Sequence, residues 1–412
     1  KITFYEGETF EVIEKNGQSL VIYRDVDRLE AELLAKAPED TGGIKEFTGL
    51  IRKLSHFKIP GGDSFFSRLF SYIKAIPHFA ALGKYSKLTM GDFAKKFKNP
   101  LLKEFFGAGL NELSFIAIVF SLAWMTTGNA GYPIGGSPKL IGLIWDRYTS
   151  LGGKIRFGTK VKKIIVQNGR ACGVLLDNGE QLSTDIVVSA ADGHATIFEM
   201  LEGKYVSDKI ADTYRTYKLF PSYVQVSLGI AADLKNEPDY LYTDLNHEIE
   251  IDPQTRISAL AMRIFHFDPT FAPTGKTAVT ILIVTTDDEY WTSLRDNDRP
   301  RYEAEKNRIA REITATFEQR FPAAKDKIEV IDVATPATVL RYTGNWRGSM
   351  EGWLMTPTTG IRTLPAVLPG LKDFYMVGQW ISPGGGLPSG LLTARDVSKT
   401  ICRDNHLPWN PS

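Results

Sequence analysis

The sequence predicts an α/β protein with an α+β part, because three regions differ in their hydrophobic pattern. Residues 25–130 carry apolar residues at the spacing of amphipathic helices. Residues 222–286 alternate apolar and polar residues over long runs, as the strands of a mostly antiparallel sheet do. Near the C-terminus, an apolar strand at 374–377 runs through a glycine-rich loop into a helix, an order typical of α/β domains.

The composition is that of an ordinary globular protein of 412 residues, with 43% hydrophobic and 24% charged residues. The 49 Lys and Arg residues against 48 Asp and Glu leave a net charge of +1, which argues against nucleic acid as a partner. The two cysteines, Cys172 and Cys402, lack CxxC spacing, so neither a disulfide framework nor a zinc site is expected. We therefore expect a reducing, cytoplasmic location.

The N-terminal region is predicted to begin with a β-hairpin and to continue as helices. Residues 9–23 alternate around Asn16-Gly17, the dipeptide that best tolerates a type I′ turn. Asp25 is a suitable N-cap for a helix over Val26 to Ala37. Further helical patterns cover 44–54 and 64–81.

Two apolar segments of this helical region each have two interpretations. The first, 64–81, combines regularly spaced apolar residues with lysines. The favoured interpretation is a face that packs in the core, and the alternative is a face that lies on a membrane surface. Its residues are Phe65, Phe66, Leu69, Phe70 and Ile73, with Lys74, Lys84 and Lys87 beside them. The second, Leu113 to Met125, is favoured as a core helix over the lining of an apolar tunnel. It falls short of the ~20 residues that span a bilayer.

Residues 131–205 are predicted to form a helix, a three-stranded meander and a short strand. Ser137-Pro138 marks the helix start, since proline at the first helical position loses no hydrogen bond. The helix should end at Gly152-Gly153, before a strand over Lys154 to Phe157. Asn-Gly pairs separate the meander strands, which are Val161 to Val166, Ala171 to Leu176 and a short one near Gln181. The run Asp185 to Ser189 suits a strand covered on both faces.

Residues 206–350 are predicted to form a separate domain on an antiparallel sheet. An amphipathic, charge-rich helix is expected over about Arg301 to Arg320. The strand patterns cover Tyr223 to Gly229, Ile257 to Phe267, Thr277 to Thr286 and Ile328 to Val333.

The segment Val377 to Asp396 places glycines directly between a strand and a helix. Glycine lets the backbone approach a ligand closely, and the amides at a helix start favour an anionic or electron-rich group. The spacing matches neither the Walker motif nor GxGxxG. A tight strand-to-helix turn without a ligand is the alternative interpretation.

Several ordered motifs together resemble the phytoene desaturase and carotenoid isomerase family of FAD-dependent oxidoreductases, above all its bacterial phytoene dehydrogenase-like members. These motifs are YPIGGSPKL, LGGKIRFGTKVKKI, DIVVSAAD, FDPTFAPTGK, TPATVLRYTGNWRGSMEGW and GQWISPGGGLPSGLLTARD, and they cover nearly the whole chain. The resemblance implies a Rossmann-like FAD domain of the glutathione reductase type at 131–205 and 351–412. It further implies an antiparallel substrate domain at 206–350, and a hairpin plus helical substrate or lid region at 1–130.

The resemblance also assigns residues to the cofactor and the substrate. The positions that match cofactor contacts are Val161, Ala190, Gly378, Gln379, Gly385, Gly386, Leu387, Pro388 and Ser389. Val161 would meet adenine, Gly378 and Gln379 the ribityl and phosphate region, and 386–389 the flavin ring, whose negative charge a helix N-terminus stabilises. Tyr342, Trp346 and Trp353 would lie by the substrate, unless they form an aromatic cluster that packs two domains together.

The family's first element, a strand followed by GxGxxG, a helix and a ribose-binding Glu, does not occur in these 412 residues. Gly107-Ala108-Gly109 is followed by Glu112 where the third glycine belongs. We therefore expect an incomplete Rossmann-like domain in an N-terminally truncated fragment. We also expect this fragment to bind FAD weakly or not at all.

The function implied by the resemblance is desaturation, saturation or isomerisation of an apolar polyene or isoprenoid, with hydride transfer at flavin N5. The six histidines are scattered and no HExxH or GxSxG motif occurs, so no catalytic residue is assigned and no metal is expected. Two alternatives stay open: a non-catalytic remnant that binds an apolar ligand or a partner, and a flavin amine oxidase. Peripheral contact with a membrane is compatible with the favoured function, and the sequence leaves the oligomeric state open.

Overall fold

A computed structural model of the protein describes residues 2–57, 76, 78–107, 109–360 and 363–410. The chain divides into two compact units, Lys1–Gly153 with Tyr223–Thr335, and Lys154–Ser222 with Pro336–Ser412. These boundaries differ from the predicted divisions after residues 130, 205 and 350. Among the helices of the described residues, none is both long and apolar enough to cross a membrane.

The secondary structure follows the predicted order with additional strands. The strands are β1 Phe4–Tyr5, β2 Thr9–Lys15, β3 Gln18–Tyr23, β4 Tyr132–Pro133, β5 Val161–Gln167, β6 Arg170–Leu176, β7 Gln181–Ser183, β8 Val187–Ser189, β9 Ser222–Ile230, β10 Tyr240–Asp252, β11 Thr255–Ile264, β12 Thr277–Thr285, β13 Ile328–Ala334 and β14 Phe374–Met376. The α-helices are α1 Val26–Lys36, α2 Thr41–Ser55, α3 Met90–Ala94, α4 Pro100–Gly107, α5 Phe115–Thr126, α6 Gly136–Ser150, α7 Asp208–Thr216, α8 Asp288–Asn297, α9 Arg299–Arg320, α10 Pro336–Thr343 and α11 Gly386–Asp404.

The first unit is built on a seven-stranded sheet in the order β13-β9-β12-β11-β10-β2-β3. The hairpin of β2 and β3 forms as predicted, with positive φ angles at Asn16 and Gly17. It joins the sheet because β2 pairs with β10 in parallel, whereas β10 pairs with β11 antiparallel. Along β9 and β12, every second residue is buried and the residues between are half-buried. One face of these strands is therefore core, and the other keeps contact with solvent.

The helical part of the first unit has an aromatic core. Asp25 caps α1 as predicted, by accepting hydrogen bonds from the backbone N–H of Asp27 and Arg28. Phe93 stacks on Phe115 of α5, with ring centroids 3.8 Å apart. The side chains of Phe115, Ile116, Val119, Leu122 and Ala123 are buried, so α5 is largely a core helix. The predicted apolar face at Phe65, Phe66, Leu69, Phe70, Ile73 and Lys74 lies outside the described residues.

The second unit contains the predicted meander, in the order β5-β6-β7, and a parallel pair of β8 and β14. Their core includes Val187, Ile197, Phe374 and Met376. Two expectations were wrong. Residues 154–157 form no strand, because no neighbouring strand of the described residues pairs with them and Phe157 points to solvent. Val188 is exposed between two buried neighbours, so the described residues cover only one face of β8.

Candidate functional site

A glycine turn connects β14 to α11, where the sequence predicted a cofactor-binding loop. Gly378, Gly384, Gly385 and Gly386 all have positive φ angles, between 55° and 98°. Residues other than glycine are strained in that region of φ, which is why the turn requires this composition. At Gly385, a Cβ atom would come within 2.5 Å of the Cβ of Glu351, so the turn also packs tightly against the segment before Trp353.

The N-terminus of α11 is open. Its N-cap is Gly385, which has no side chain, and no side-chain cap is found among the described residues. These amides carry partial positive charge and favour an electron-rich group. Leu387 and Leu391 follow on the helix and are 55% and 65% exposed. A positive helix end therefore lies beside an apolar surface, which is a suitable combination for a large, electron-accepting ring.

Internal hydrogen bonds hold this turn in shape. Thr393 Oγ1 accepts a 2.8 Å hydrogen bond from the Gly378 amide and donates one of 2.6 Å to the Ser389 carbonyl. Ser389 is buried, and its hydroxyl donates to the Gly386 carbonyl at 2.8 Å. The Gly378 amide and the Ser389 hydroxyl are thus already in use. A Cβ at Gly378 would meet nothing within 4 Å, so the open side of its Cα is what a ligand could approach.

The remaining predicted cofactor residues lie on neighbouring elements of the second unit. Ala190 is exposed directly after β8, and the Val377 amide donates to the Ser189 carbonyl at 2.9 Å. Ala190 and Gly378 therefore follow the carboxyl ends of two adjacent parallel strands, the edge where α/β sheets bind ligands. Gln379 is half-buried, and Val161 is the first residue of β5. Pro388 is exposed in the first turn of α11.

Two of the three predicted substrate residues belong to one aromatic cluster. Trp346 stacks on His194 at 4.7 Å between ring centroids and lies 6.3 Å from Trp353. Trp353 is fully buried, and its Nε1 donates to the Trp380 carbonyl at 3.0 Å, which supports a packing role for this residue. Tyr342 stands apart on α10 and is 75% exposed.

Sequence reasoning missed the two carboxyl groups beside these elements. Asp192 is buried, and its carboxylate accepts hydrogen bonds from the amides of Ala195 at 2.7 Å and Trp346 at 2.8 Å. Burial raises the pKa of Asp192, against the opposing effect of these hydrogen bonds. Burial also raises the pKa of Glu351, whose Oε1 lies 3.8 Å from where a Cβ of Gly386 would stand. A carboxyl group in the middle of an aromatic and glycine-rich motif was the signal available in the sequence.

These residues fit the flavin part of FAD. The uncapped helix start, the open side of Gly378 and the exposed leucines suit a ring with a polyol chain. At the GxGxxG-like spacing of Gly107 and Gly109, Gly107 is the last residue of α4 and Gly109 has a positive φ. Gly107 therefore follows a helix and not a strand, unlike the first glycine of a GxGxxG turn.

Comparisons with known proteins place the chain in a family. The profile described as flavin containing amine oxidoreductase matches residues 77–402. A chloroplastic prolycopene isomerase from Daucus carota is 25% identical over 413 residues, covering 95% of this chain and 66% of that protein. A neurosporene-forming phytoene desaturase from Rhodobacter capsulatus is 24% identical over 430 residues, covering 94% and 76%. The chain thus spans about two thirds of the length of the first of these relatives.

Solved structures show the same fold at low sequence identity. An oxidoreductase from Methanosarcina mazei has a TM-score of 0.55 and 16% identity, covering 97% of this chain and 82% of that one. A triple mutant of putrescine oxidase, from a redesign of cofactor binding, has a TM-score of 0.56 and 11% identity, covering 97% and 83%. They agree with an α/β flavoprotein fold that combines a mixed sheet with helices, and the family profile supports FAD as the cofactor. The chain belongs to the flavin containing amine oxidoreductases and is a phytoene desaturase- and carotenoid isomerase-like FAD-dependent oxidoreductase.

Proposed function

We propose that the protein desaturates, saturates or isomerises an apolar polyene or isoprenoid with the help of FAD. The observation that carries the proposal is the open N-terminus of α11 beside the exposed Leu387 and Leu391. Two relatives support the proposal, since a carotenoid isomerase and a carotenoid desaturase each align with more than nine tenths of the chain.

The bound cofactor would supply hydride transfer at its N5 atom. The residues of the turn would bind and orient it: Gly386, Leu387 and Pro388 against the ring, and Gln379 against the ribityl chain. The first amides of α11 would stabilise negative charge on the reduced ring. Since burial raises the pKa of Glu351, its carboxyl group stays neutral over a wider pH range than an exposed glutamate and adds less repulsion there.

On the substrate side, Trp346 would contact the polyene, and the buried Trp353 would pack against Trp346. Trp346 is half-buried and is fixed by its stacking on His194 and by the hydrogen bond of its amide to Asp192. Val161 and Ala190 would approach the adenosine half of FAD. A rigid aromatic wall aligns a long apolar molecule without a pair of acid and base residues.

The test is to saturate the protein with FAD, record the flavin absorption, and incubate oxidised and reduced forms with prolycopene and with phytoene. A change in double-bond number or geometry, followed by chromatography of the polyenes, is the expected result. Conversion of amines with release of hydrogen peroxide, and of no polyene, would favour a flavin amine oxidase. Binding of polyenes without any flavin would favour the non-catalytic binding module.

A further inference from the structure

We infer that the seven-stranded sheet of the first unit carries a binding site for a carboxylate at the end of a long apolar substrate, centred on Arg263 of β11. The inference rests on the proposed function for the apolar part of that substrate. The inferred substrate also has a charged end, which the carotenoid hydrocarbons do not have.

Four polar side chains form one row across the sheet. Arg263 pairs in register with Thr280 of β12 on one side and with Tyr240 of β10 on the other. Leu241 is opposite Val12 in the parallel pair of β10 and β2, which places Glu11 beside Tyr240. Side chains at paired positions project from the same face of a sheet. The row therefore consists of a hydroxyl, a guanidinium, a phenol and a carboxyl group. It is about 14 Å long at the usual spacing between strands.

The row lies on the face that keeps contact with solvent. All four of its residues are half-buried. Their neighbours along the strands, Leu241, Met262 and Ile264, project from the other face and are at most 1% exposed. The polar row is therefore accessible to a small molecule, and it lies where β10 begins and β11 ends, since Tyr240 is the first residue of β10 and Arg263 the last but one of β11.

No carboxylate of the described residues forms an ion pair with Arg263. Its guanidinium carbon lies 5.0 Å from the centroid of the Tyr240 ring, which fixes the group over an aromatic face. It forms no ion pair with any residue that the structure describes, whereas Arg256 of the same strand pairs with Glu250 at 2.8 Å. A half-buried guanidinium has lost part of its hydration, and a carboxylate with two oxygens matches its planar donors.

The other members of the row supply hydrogen-bond donors instead of competing negative charge. Burial raises the pKa of Tyr240 to about 12, so its phenol stays protonated. Glu11 retains some solvent contact, but burial raises its pKa to about 7, so it is partly protonated at neutral pH and carries less than a full negative charge. Nearby Glu104 already pairs with Lys15 and accepts a 2.7 Å hydrogen bond from the Tyr242 hydroxyl. The net charge at the row is therefore positive.

The experiment compares two probes that differ in one negative charge and one methyl group, the fluorescent polyene cis-parinaric acid and its methyl ester. The full chain should bind the acid about tenfold more tightly than the ester, as one charge-assisted contact allows. Arg263→Met should abolish this preference and leave the affinity for the ester unchanged. Arg263→Lys, which keeps the charge, should retain part of it. Arg256→Met is the matched control, because it removes a paired arginine from the same strand and should leave the preference intact.

Each remaining outcome counts against the inference. Equal binding of acid and ester by the unaltered protein, or an undiminished preference in a folded Arg263→Met variant, would make Arg263 a structural cation–π partner only. If Arg263→Met does not fold, an undiminished preference in a folded Arg263→Gln variant, which also lacks the charge, would overturn the inference in the same way. Absence of the preference in the unaltered protein, with conversion of hydrocarbon polyenes intact, would overturn the carboxylate site and leave the proposed function standing. Failure to bind either probe or any polyene would overturn both.

Discussion

The backbone amide of Trp346 donates a 2.8 Å hydrogen bond to Oδ2 of Asp192, a residue 154 positions earlier in the chain. The other oxygen of the same carboxylate accepts from the Ala195 amide at 2.7 Å. Asp192 is only 6% exposed. One buried carboxylate therefore fixes the turn after β8 and the loop that presents Trp346.

Replacing this carboxylate should destabilise the second unit. Asp192→Ala leaves two backbone amides without their acceptor, at a cost of about 2–4 kcal/mol. We expect chemical denaturation to show a lower free energy of unfolding by this amount. The quenching of Trp346 fluorescence should also change. Asp208→Asn, at an exposed position of α7 in the same unit, is the control. A cost for Asp192→Ala no larger than that of the control would show that the two hydrogen bonds contribute little.

Trp353 and Trp380 should differ in their tolerance of phenylalanine. The Nε1 of Trp353 donates to the Trp380 carbonyl, whereas the buried Nε1 of Trp380 has no hydrogen-bond partner among the described residues. Trp353→Phe breaks a buried hydrogen bond, while Trp380→Phe removes an unsatisfied donor. We expect Trp353→Phe to be the more destabilising by about 1–2 kcal/mol, measured by denaturant unfolding. The reverse order would indicate that Trp380 Nε1 has a partner in solution.

A bulky residue at Gly386 should reduce flavin binding. Gly386→Phe would place a ring where the flavin is proposed to lie, and its φ of 72° adds strain of about 1–2 kcal/mol. The matched control is Gly275→Phe, since Gly275 has a φ of 77° and open space around it but lies in the first unit. Flavin fluorescence titration should show weaker binding for Gly386→Phe only. Equal flavin affinities in both variants would show that the flavin ring does not lie at the start of α11.

Residues 1–412 should bind FAD more weakly than about 1 μM, which corresponds to roughly 8 kcal/mol. The physical reason is that the sequence contains no strand, GxGxxG and helix to hold the diphosphate. Equilibrium dialysis against FAD measures this directly. Micromolar or tighter binding would mean that another segment holds the diphosphate.

Glu11 should make stability depend on pH between about 4.5 and 7. Its folded pKa of about 7 lies above the ordinary value of 4.5, so the folded protein binds this proton more tightly than the unfolded chain. Stability is therefore unaffected by Glu11 below about pH 4.5 and falls as the pH rises through the folded pKa. The loss should be on the order of 1–3 kcal/mol. In Glu11→Gln this part of the pH dependence should vanish. If the free energy of unfolding changed with pH in the same way in both proteins, the assignment to Glu11 would be contradicted.

The sequence by itself determined the local elements. Asn16-Gly17 specifies its turn because both residues adopt positive φ, and Asp25 marks the start of its helix because a carboxylate can accept hydrogen bonds from the first amides. The strand, glycine turn and helix at 374–404 were likewise predictable, together with the family they resemble. These features depend on dihedral preferences and periodicity within about twenty residues, so the linear sequence contains them.

Only the tertiary structure decided how distant segments combine. The strand β10 was not predicted, since irregular pairing between Asp244 and Ile249 interrupts its alternation. Its parallel pairing with β2 brings Glu11 beside Tyr240, and its pairing with β11 brings Tyr240 beside Arg263. The contact of Asp192 with the Trp346 amide has the same origin. Such pairs depend on which strands and loops bury complementary surfaces across more than a hundred residues, a choice made by the packing of the whole unit and invisible in any local pattern.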